Sequence, residues 1–380
     1  DRPQLDKNIS EDNQYSRETA YKMASESAVL LKNDGILPLK PGRKTKTVIL
    51  GPNADVIPCG GGSGKVSPLY SISLYAGMQE LGKNYPVQLV TPDENGSYDT
   101  PENVKSIESA TTVIVVAGFN TKTEKENSDR TFTLPEGQDE LISFAAAHNQ
   151  NVVTVVYAGG GFDMSKWMDK VKAIVIGWYP GQEGGLALAR MLAGEFSPSG
   201  RLPMSIEAKW EDNPVHDSYY PKEKAENKRG FTNRYVTYSE GVFMGYRGYD
   251  RLGTKPLFPF GYGLTYTTFD YKDIAVTPSG EGFDVTFTLT NTGSKAAAEV
   301  VQVYVGEQNP TVARPKKELK GYDKIYLNKG ESRLVTIFLP KSAFEFYDVN
   351  IHDFRANNGK FNVMVGASAQ DIRLNAEITR

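Results

Sequence analysis

Cysteine is nearly absent from this chain. Cys59 is the single one among 380 residues, so no disulfide can close within the chain and no Cys-based zinc site can form. Histidine is almost as scarce. His148, His216 and His352 lie far apart in sequence, without metal-ligand spacing, and give no support to a Cys/His catalytic pair. No apolar run reaches the length of about 18 residues that a membrane span needs. Charge of one sign is also missing: 43 Lys and Arg against 46 Asp and Glu leave a net charge of −3. No broad pull toward nucleic acid or an anionic membrane is expected. The opening residues, "DRPQLDKNISEDNQYSRE", contain neither a starting Met nor the apolar core of a signal peptide. They read as a chain entered partway, by processing, truncation or a split gene. Neither a metal nor a cofactor is expected.

What remains is an ordinary globular composition, 39% hydrophobic and 23% charged, in a chain long enough for two or three cores. Residues 11–32 carry a helical pattern that Ser10 or Asp12 can cap. After "GILPLK", apolar runs rich in β-branched residues fall at 46–51, 87–91, 111–118, 151–160 and 171–181. Apolar on both faces, they read as buried parallel strands. Helical patterns at 74–82, 137–149 and 181–195 lie between them, which argues for an α/β sandwich with a mainly parallel sheet. From about 265 to 380, strands such as "FDVTFTLTNTG" and "AEVVQVYVGE" alternate apolar and polar residues. Seven or so of them in that length predict a fibronectin III-like or immunoglobulin-like β-sandwich. The expected plan is a linker and leading helix (1–33), a flavodoxin-like α/β sandwich (34–206), a connector packing on the sandwich (207–264) and the β-sandwich (265–380).

Two loops stand out. "PCGGGSGKVSP", Pro58 to Pro68, suggests a phosphate loop because a strand, glycines and a lysine come together. The Walker pattern fails at both ends: its first glycine falls on Cys59 and its Ser/Thr on Val66. Pro68 also discourages a helix whose N-terminus could face a phosphate. The loop is then either a surface turn or a place where backbone must approach a ligand or another domain closely. The second stretch, Val113 to Ile142, holds Glu124, Glu126, Asp129 and Arg130 in an acidic loop. Its plain reading is a solvated charged turn. Its position past a strand's C-terminal end is where α/β proteins bind ligands, and a carboxyl partly withdrawn from water can serve as a general acid. Trp178, in "GWYPGQEGG", is the tryptophan best placed for ligand contact. No Gly-x-Ser-x-Gly elbow occurs.

"ESAVLLKNDGILPLK", "GGGSGKVSP", "SDRTFTLPEGQDELI", "GWYPGQEGGLALARMLAGEFSPSGRLPMSI", "GYRGYD", "LFPFGYGLTYTTFDY" and "ARPKKELKGYDKI" resemble, in order, the C-terminal half of glycoside hydrolase family 3, the β-glucosidases and β-xylosidases. In that family a (β/α)8 barrel usually comes first, then an α/β sandwich and often a fibronectin III-like domain. The resemblance implies retaining hydrolysis by two carboxylates: a barrel aspartate in a Ser-Asp-Trp-like motif as nucleophile, and a sandwich-loop glutamate as acid/base. This chain has no Ser-Asp-Trp, so the nucleophile and the main sugar-binding residues are expected outside it. The family pattern Glu-Gly-x-Asp-Arg falls on Glu126, Asn127, Ser128, Asp129 and Arg130, with Asn127 departing from glycine. Glu126 is the implied acid/base and Glu124 the alternative. Ser63 and Lys65 become candidate contacts on the aglycone side, and Asp129 and Arg130 shape the loop. The implied partners are a β-glucoside or β-xyloside oligosaccharide, the barrel half and, as a further candidate, a second copy of the chain. A periplasmic or extracellular bacterial location is expected ahead of a cytoplasmic one. Two other readings stay open: a non-catalytic carbohydrate-binding module, and a flavodoxin-like nucleotide binder.

Overall fold

Four of the apolar runs become strands buried along their whole length, whereas the run at 87–91 becomes an edge strand with only Val90 buried, because it has a neighbour on one side alone. The computed structural model describes residues 13–126, 128–220, 223–226 and 232–380. The chain divides into two compact units, one formed by the stretch up to Gly200 together with Gly263–Tyr266, the other by Arg201–Tyr262 and Thr267–Arg380. Among the described residues no helix is long and apolar enough to cross a membrane.

In the first unit α1 (Gln14–Ser27) is capped by Asn13, whose side chain accepts from the Ser16 N–H. The expected caps Ser10 and Asp12 lie outside the described residues. The sequence pattern carries this helix to Lys32, but the structure ends it at Ser27 and turns Val29–Asn33 into a strand, β1. Val29, Leu30 and Leu31 are all buried. On one helix, three adjacent side chains point three ways; a strand covered on both faces accommodates them all. Then follow β2 (Thr47–Leu50), α2 (Leu74–Glu80), β3 (Val87–Val90), α3 (Pro101–Glu108), β4 (Thr112–Gly118), α4 (Gln138–His148), β5 (Val152–Tyr157), β6 (Ala173–Ile176) and α5 (Gly184–Ala193). The sequence pattern missed α3, although its start signal is present: Thr100 caps it and Pro101 opens it.

The sheet runs β1-β6-β5-β4-β2-β3. Strands β2 to β6 are parallel, and β1 pairs antiparallel with β6. After β3 the chain returns over β2 to form β4. The strand order therefore switches between β2 and β4, and a crevice is expected beyond their carboxyl ends. The core beneath is built from Ile49, Ile114, Val116, Val155, Val175 and Leu188, among others.

The second unit begins with α6 (His216–Tyr219), a two-stranded ribbon of β7 (Glu223–Glu226) and β8 (Thr232–Tyr235), and α7 (Tyr246–Leu252). The β-sandwich follows: β9 (Phe269–Ser279), β10 (Gly282–Asn291), β11 (Ala297–Glu307), β12 (Glu318–Leu327), β13 (Ser332–Leu339), the short hairpin β14 (Phe346–Asp348) and β15 (Asp353–Arg355), then β16 (Lys360–Gly366) and β17 (Ile372–Thr379). Two sheets, β13-β10-β9 and β12-β11-β16-β17, enclose Phe287, Val303, Leu339, Phe344 and Phe361. Alternation sets this: on β13 the burial pattern is strictly alternating from Leu334 to Leu339. Glu299 is buried between Arg201 at 3.0 Å and the Tyr271 hydroxyl at 3.0 Å. Burial raises its pKa, and Arg201 opposes the rise.

Most of the stretch expected as a connector packing on the α/β sandwich groups with the β-sandwich, and its last residues group with the α/β unit. Residues 201–262 group with the β-sandwich: Lys317 meets Asp250 at 2.5 Å, Arg247 meets Glu318 at 3.3 Å, and Gln302 donates to Gly261 O at 3.1 Å. Its polar and aromatic residues are spent on these contacts instead of on long periodic elements. Only Gly263–Tyr266 group with the α/β unit, where Leu264 N–H donates to Leu30 O at 2.8 Å and Tyr266 Oη to Met191 O at 3.0 Å.

Candidate active site

The two loops singled out in the sequence leave neighbouring strands. The glycine loop follows β2 and the acidic loop follows β4, so both leave the carboxyl ends of the strands that flank the switch point. The acidic loop is closed at its base. The buried Gln138 side chain accepts from Gly118 N–H at 2.6 Å and donates to Gly118 O at 3.0 Å, stapling the end of β4 to the start of α4. Inside the loop Asn120 makes a tight turn, accepting from the Lys122 N–H on Oδ1 at 2.9 Å and from the Glu124 N–H on its carbonyl at 2.9 Å.

The two loops are then joined by backbone. Gly61 N–H donates to Glu124 O at 2.8 Å, and Gly61 bridges Lys125 in parallel sense. Only glycine permits this approach: a Cβ at Gly61 would stand 2.7 Å from Thr121 O and 2.8 Å from Lys125 Cβ. Gly62 has φ +81, and a Cβ there would lie 2.6 Å from a carboxylate oxygen of Glu126. The glycines make a backbone bed for the acidic loop. A short 3₁₀ turn, Gly62–Gly64, follows, and the next helix begins only at Leu74, so no helix N-terminus closes on this loop as a phosphate site would require.

The two glutamates differ in kind. Glu126 is exposed; its carboxylate accepts from the Ser63 backbone N–H and, at 2.9 Å, from Ser63 Oγ. Those two donors hold its pKa below the usual carboxylate value, the backbone N–H contributing most. Glu124 is fastened instead. One oxygen accepts from Tyr179 Oη at 2.8 Å and from Gly159 N–H at 3.2 Å, and the other is 3.8 Å from Arg130 Nε. Arg130 donates to Gly161 O at 2.7 Å and lies 4.5 Å over the Phe119 ring.

The other residues expected at the site spread out. Lys65 is exposed and makes no side-chain hydrogen bond among the described residues. Asp129 is exposed at the rim. Trp178 adopts φ 55, and its indole N–H donates to Ser27 O at 3.0 Å, which commits its polar edge to the end of α1. Asn127 lies outside the described residues. On its outer side the acidic loop borders a polar groove of about 600 Å³, walled by Lys122, Ser128, Asp129, Thr131, Glu136 and Lys166. Sequence reasoning missed Tyr179, one residue beyond Trp178, because nothing in the local sequence tells which of two adjacent aromatic side chains reaches the acidic loop; the fold sends Tyr179 there and Trp178 to the end of α1. It also missed Glu183, buried at the start of α5, which accepts from the Tyr70 hydroxyl and lies 3.6 Å from Arg17. That cluster ties the far end of the glycine-loop segment to the helix.

Residues 28–246 match the model of the glycosyl hydrolase family 3 C-terminal domain. The chain belongs to glycoside hydrolase family 3. Residues 299–369 match a fibronectin type III-like domain. The family chain is 36% identical to a thermostable beta-glucosidase B of Acetivibrio thermocellus, over 98% of its own length and 50% of the relative's. It is 37% identical to an exo-alpha-(1->6)-L-arabinopyranosidase of Bifidobacterium breve, over 93% of this chain and 47% of the relative. Among solved structures it resembles a family 3 beta-glucosidase of Bifidobacterium adolescentis, with TM-score 0.88 and 34% identity over 99% of this chain and 55% of that one. The family chain thus spans about half the length of the curated relatives it matches.

Proposed function

We propose that this chain supplies the general acid/base and one wall of the cleft of a retaining, exo-acting β-glycosidase, a β-glucosidase before a β-xylosidase, with Glu126 as the acid/base. The contrast between the two glutamates carries the reading. Glu124 already spends its oxygens on Tyr179, Gly159 and Arg130, whereas Glu126 is exposed with Ser63 as its support. A retaining enzyme needs a second carboxylate about 5–5.5 Å from the first. In this reading the nucleophile comes from a (β/α)8 barrel that meets this face. The relatives' names include a glucosidase and an arabinopyranosidase. Their common half is then compatible with more than one terminal sugar, and the sugar is selected outside it. Ser63 and Lys65 would contact the leaving-group side, and Asp129 and Arg130 would shape the loop.

The lowered pKa of Glu126 belongs to a carboxylate resting in water on Ser63. A glycoside seated over it excludes that water and favours the neutral acid that must donate. The chain alone is expected to leave aryl β-glucosides intact, with hydrolysis appearing when the barrel half is added. Hydrolysis by the isolated chain would place both carboxylates within it and overturn the arrangement. Ser63→Ala tests the support. Losing the hydroxyl removes a donor to the ionised form, so the pKa of Glu126 rises. An acid works only while protonated, so the basic limb of the kcat/KM–pH profile moves to higher pH. An unmoved or acid-shifted limb would detach Ser63 from the titrating group.

A further inference from the structure

We infer that Tyr179 is a positioning residue for the acid/base: through Glu124 it straps the loop that carries Glu126 to the loop after β6, two strands away in the sheet. The inference rests on the reading of Glu126 given above and adds a residue to it. Tyr179 follows β6, and the loop it grips follows β4, so the bond from its hydroxyl to Glu124 passes over the end of β5. The intervening β5 loop takes part on both flanks. Gly159 N–H donates to the same Glu124 oxygen at 3.2 Å, and Gly161 O accepts from Arg130 at 2.7 Å. Three successive strand ends are thereby tied at one carboxylate.

Glu124 transmits the hold to Glu126 by backbone. Its own carbonyl accepts from Gly61, the next residue bridges Gly61, and the residue after that is Glu126 on Ser63. A shift at Glu124 therefore moves both the acid and the bed beneath it. Two residues span at most about 7 Å of chain, which leaves little slack to absorb such a shift. Burial first, and then the neighbouring Glu124 carboxylate, push the Tyr179 pKa far above its ordinary value. Its hydroxyl thus stays a donor throughout the working range of any glycosidase. Tyr179 touches no reacting atom in this arrangement; its effect is geometric, and misplacing a catalytic group by about 1 Å can cost about 10²-fold.

The test uses the full-length protein that carries this chain and two substrates, methyl β-glucoside, which needs a proton on its leaving oxygen, and dinitrophenyl β-glucoside, which does not. Tyr179→Phe is expected to lower kcat/KM on the methyl glucoside by about 10²-fold and on the dinitrophenyl glucoside by less than about threefold. A loosened fold would lower both alike. Glu124→Ala should reproduce this pattern. Glu124→Gln, which can still accept from Tyr179 and Gly159, should recover at least about tenfold of the loss. Equal losses on the two substrates, or no loss, overturn the strap. Glu126→Gln run alongside separates the two ideas. If it shows the leaving-group dependence while Tyr179→Phe and Glu124→Ala do not, the strap alone falls. If Glu126→Gln also lacks it, the acid/base reading falls and the strap with it.

Discussion

Glu126→Gln in the full-length protein should lower kcat/KM on alkyl β-glucosides by about 10²–10⁴-fold, the usual worth of a general acid. The amide keeps the shape of the side chain and can still accept from the Ser63 N–H and hydroxyl, so the loop is held as before and only the proton is lost. A retaining enzyme uses the same residue twice, first as acid to the leaving oxygen and then as base to water. With a dinitrophenyl glucoside the first step needs no acid, so kcat/KM survives, while kcat falls because the glycosyl-enzyme waits for an unactivated water. Azide, a nucleophile with no proton to surrender, should restore turnover and yield a β-glucosyl azide. The same experiment on Glu124→Gln should give no such product, because that carboxylate is bound to Tyr179, Gly159 and Arg130. Formation of the azide by Glu124→Gln and not by Glu126→Gln would exchange the two roles.

The largest effect on stability is expected at Trp167. It is fully buried at 0% exposure, and its indole N–H donates to Asp139 Oδ1 at 2.9 Å, with Lys166 3.1 Å from the other oxygen. Trp167→Ala removes a large side chain from a packed interior, a loss of about 3–5 kcal/mol. For a unit of roughly 200 residues that is a fall in Tm of roughly 6–20 °C. Trp167→Phe keeps much of the volume but leaves a buried oxygen of Asp139 without its donor, which costs about 1–3 kcal/mol. Calorimetry of the three proteins would show the ordering. A Trp167→Ala protein as stable as the parent would mean that the site collapses without cost. Asp139 opens α4 directly after the acidic loop, so the same contact sets where that loop ends.

Much of the fold could be read in advance because its signals are local. Four of the six strands in the α/β unit, β2, β4, β5 and β6, are β-branched runs buried along their whole length, and β10 and β13 of the β-sandwich alternate. Pro68 and the failed Walker spacing argue against a phosphate loop from residue type and spacing alone. The two departures have different causes. Val29–Asn33 continues a helical pattern in sequence and becomes a strand because the otherwise unpaired edge of β6 offers hydrogen bonds that no local rule can foresee. α3 went unseen because its eight residues hold only two strongly apolar ones, Val104 and Ile107, too few for a clear period.

The sequence by itself determined the family and the succession of an α/β part and a β-sandwich, and it marked the two loops, since these depend on residue type and spacing along one chain. Tertiary structure decided which atoms meet. The glycine loop, which looks like a phosphate cradle in isolation, is the bed on which the acidic loop lies, because the crossover from β3 sets β2 beside β4. Glu124 and Glu126 are equal in sequence, two acids separated by one lysine. They part company in space because Tyr179 and Gly159, from loops beyond β6 and β5, converge on one of them and leave the other exposed on Ser63.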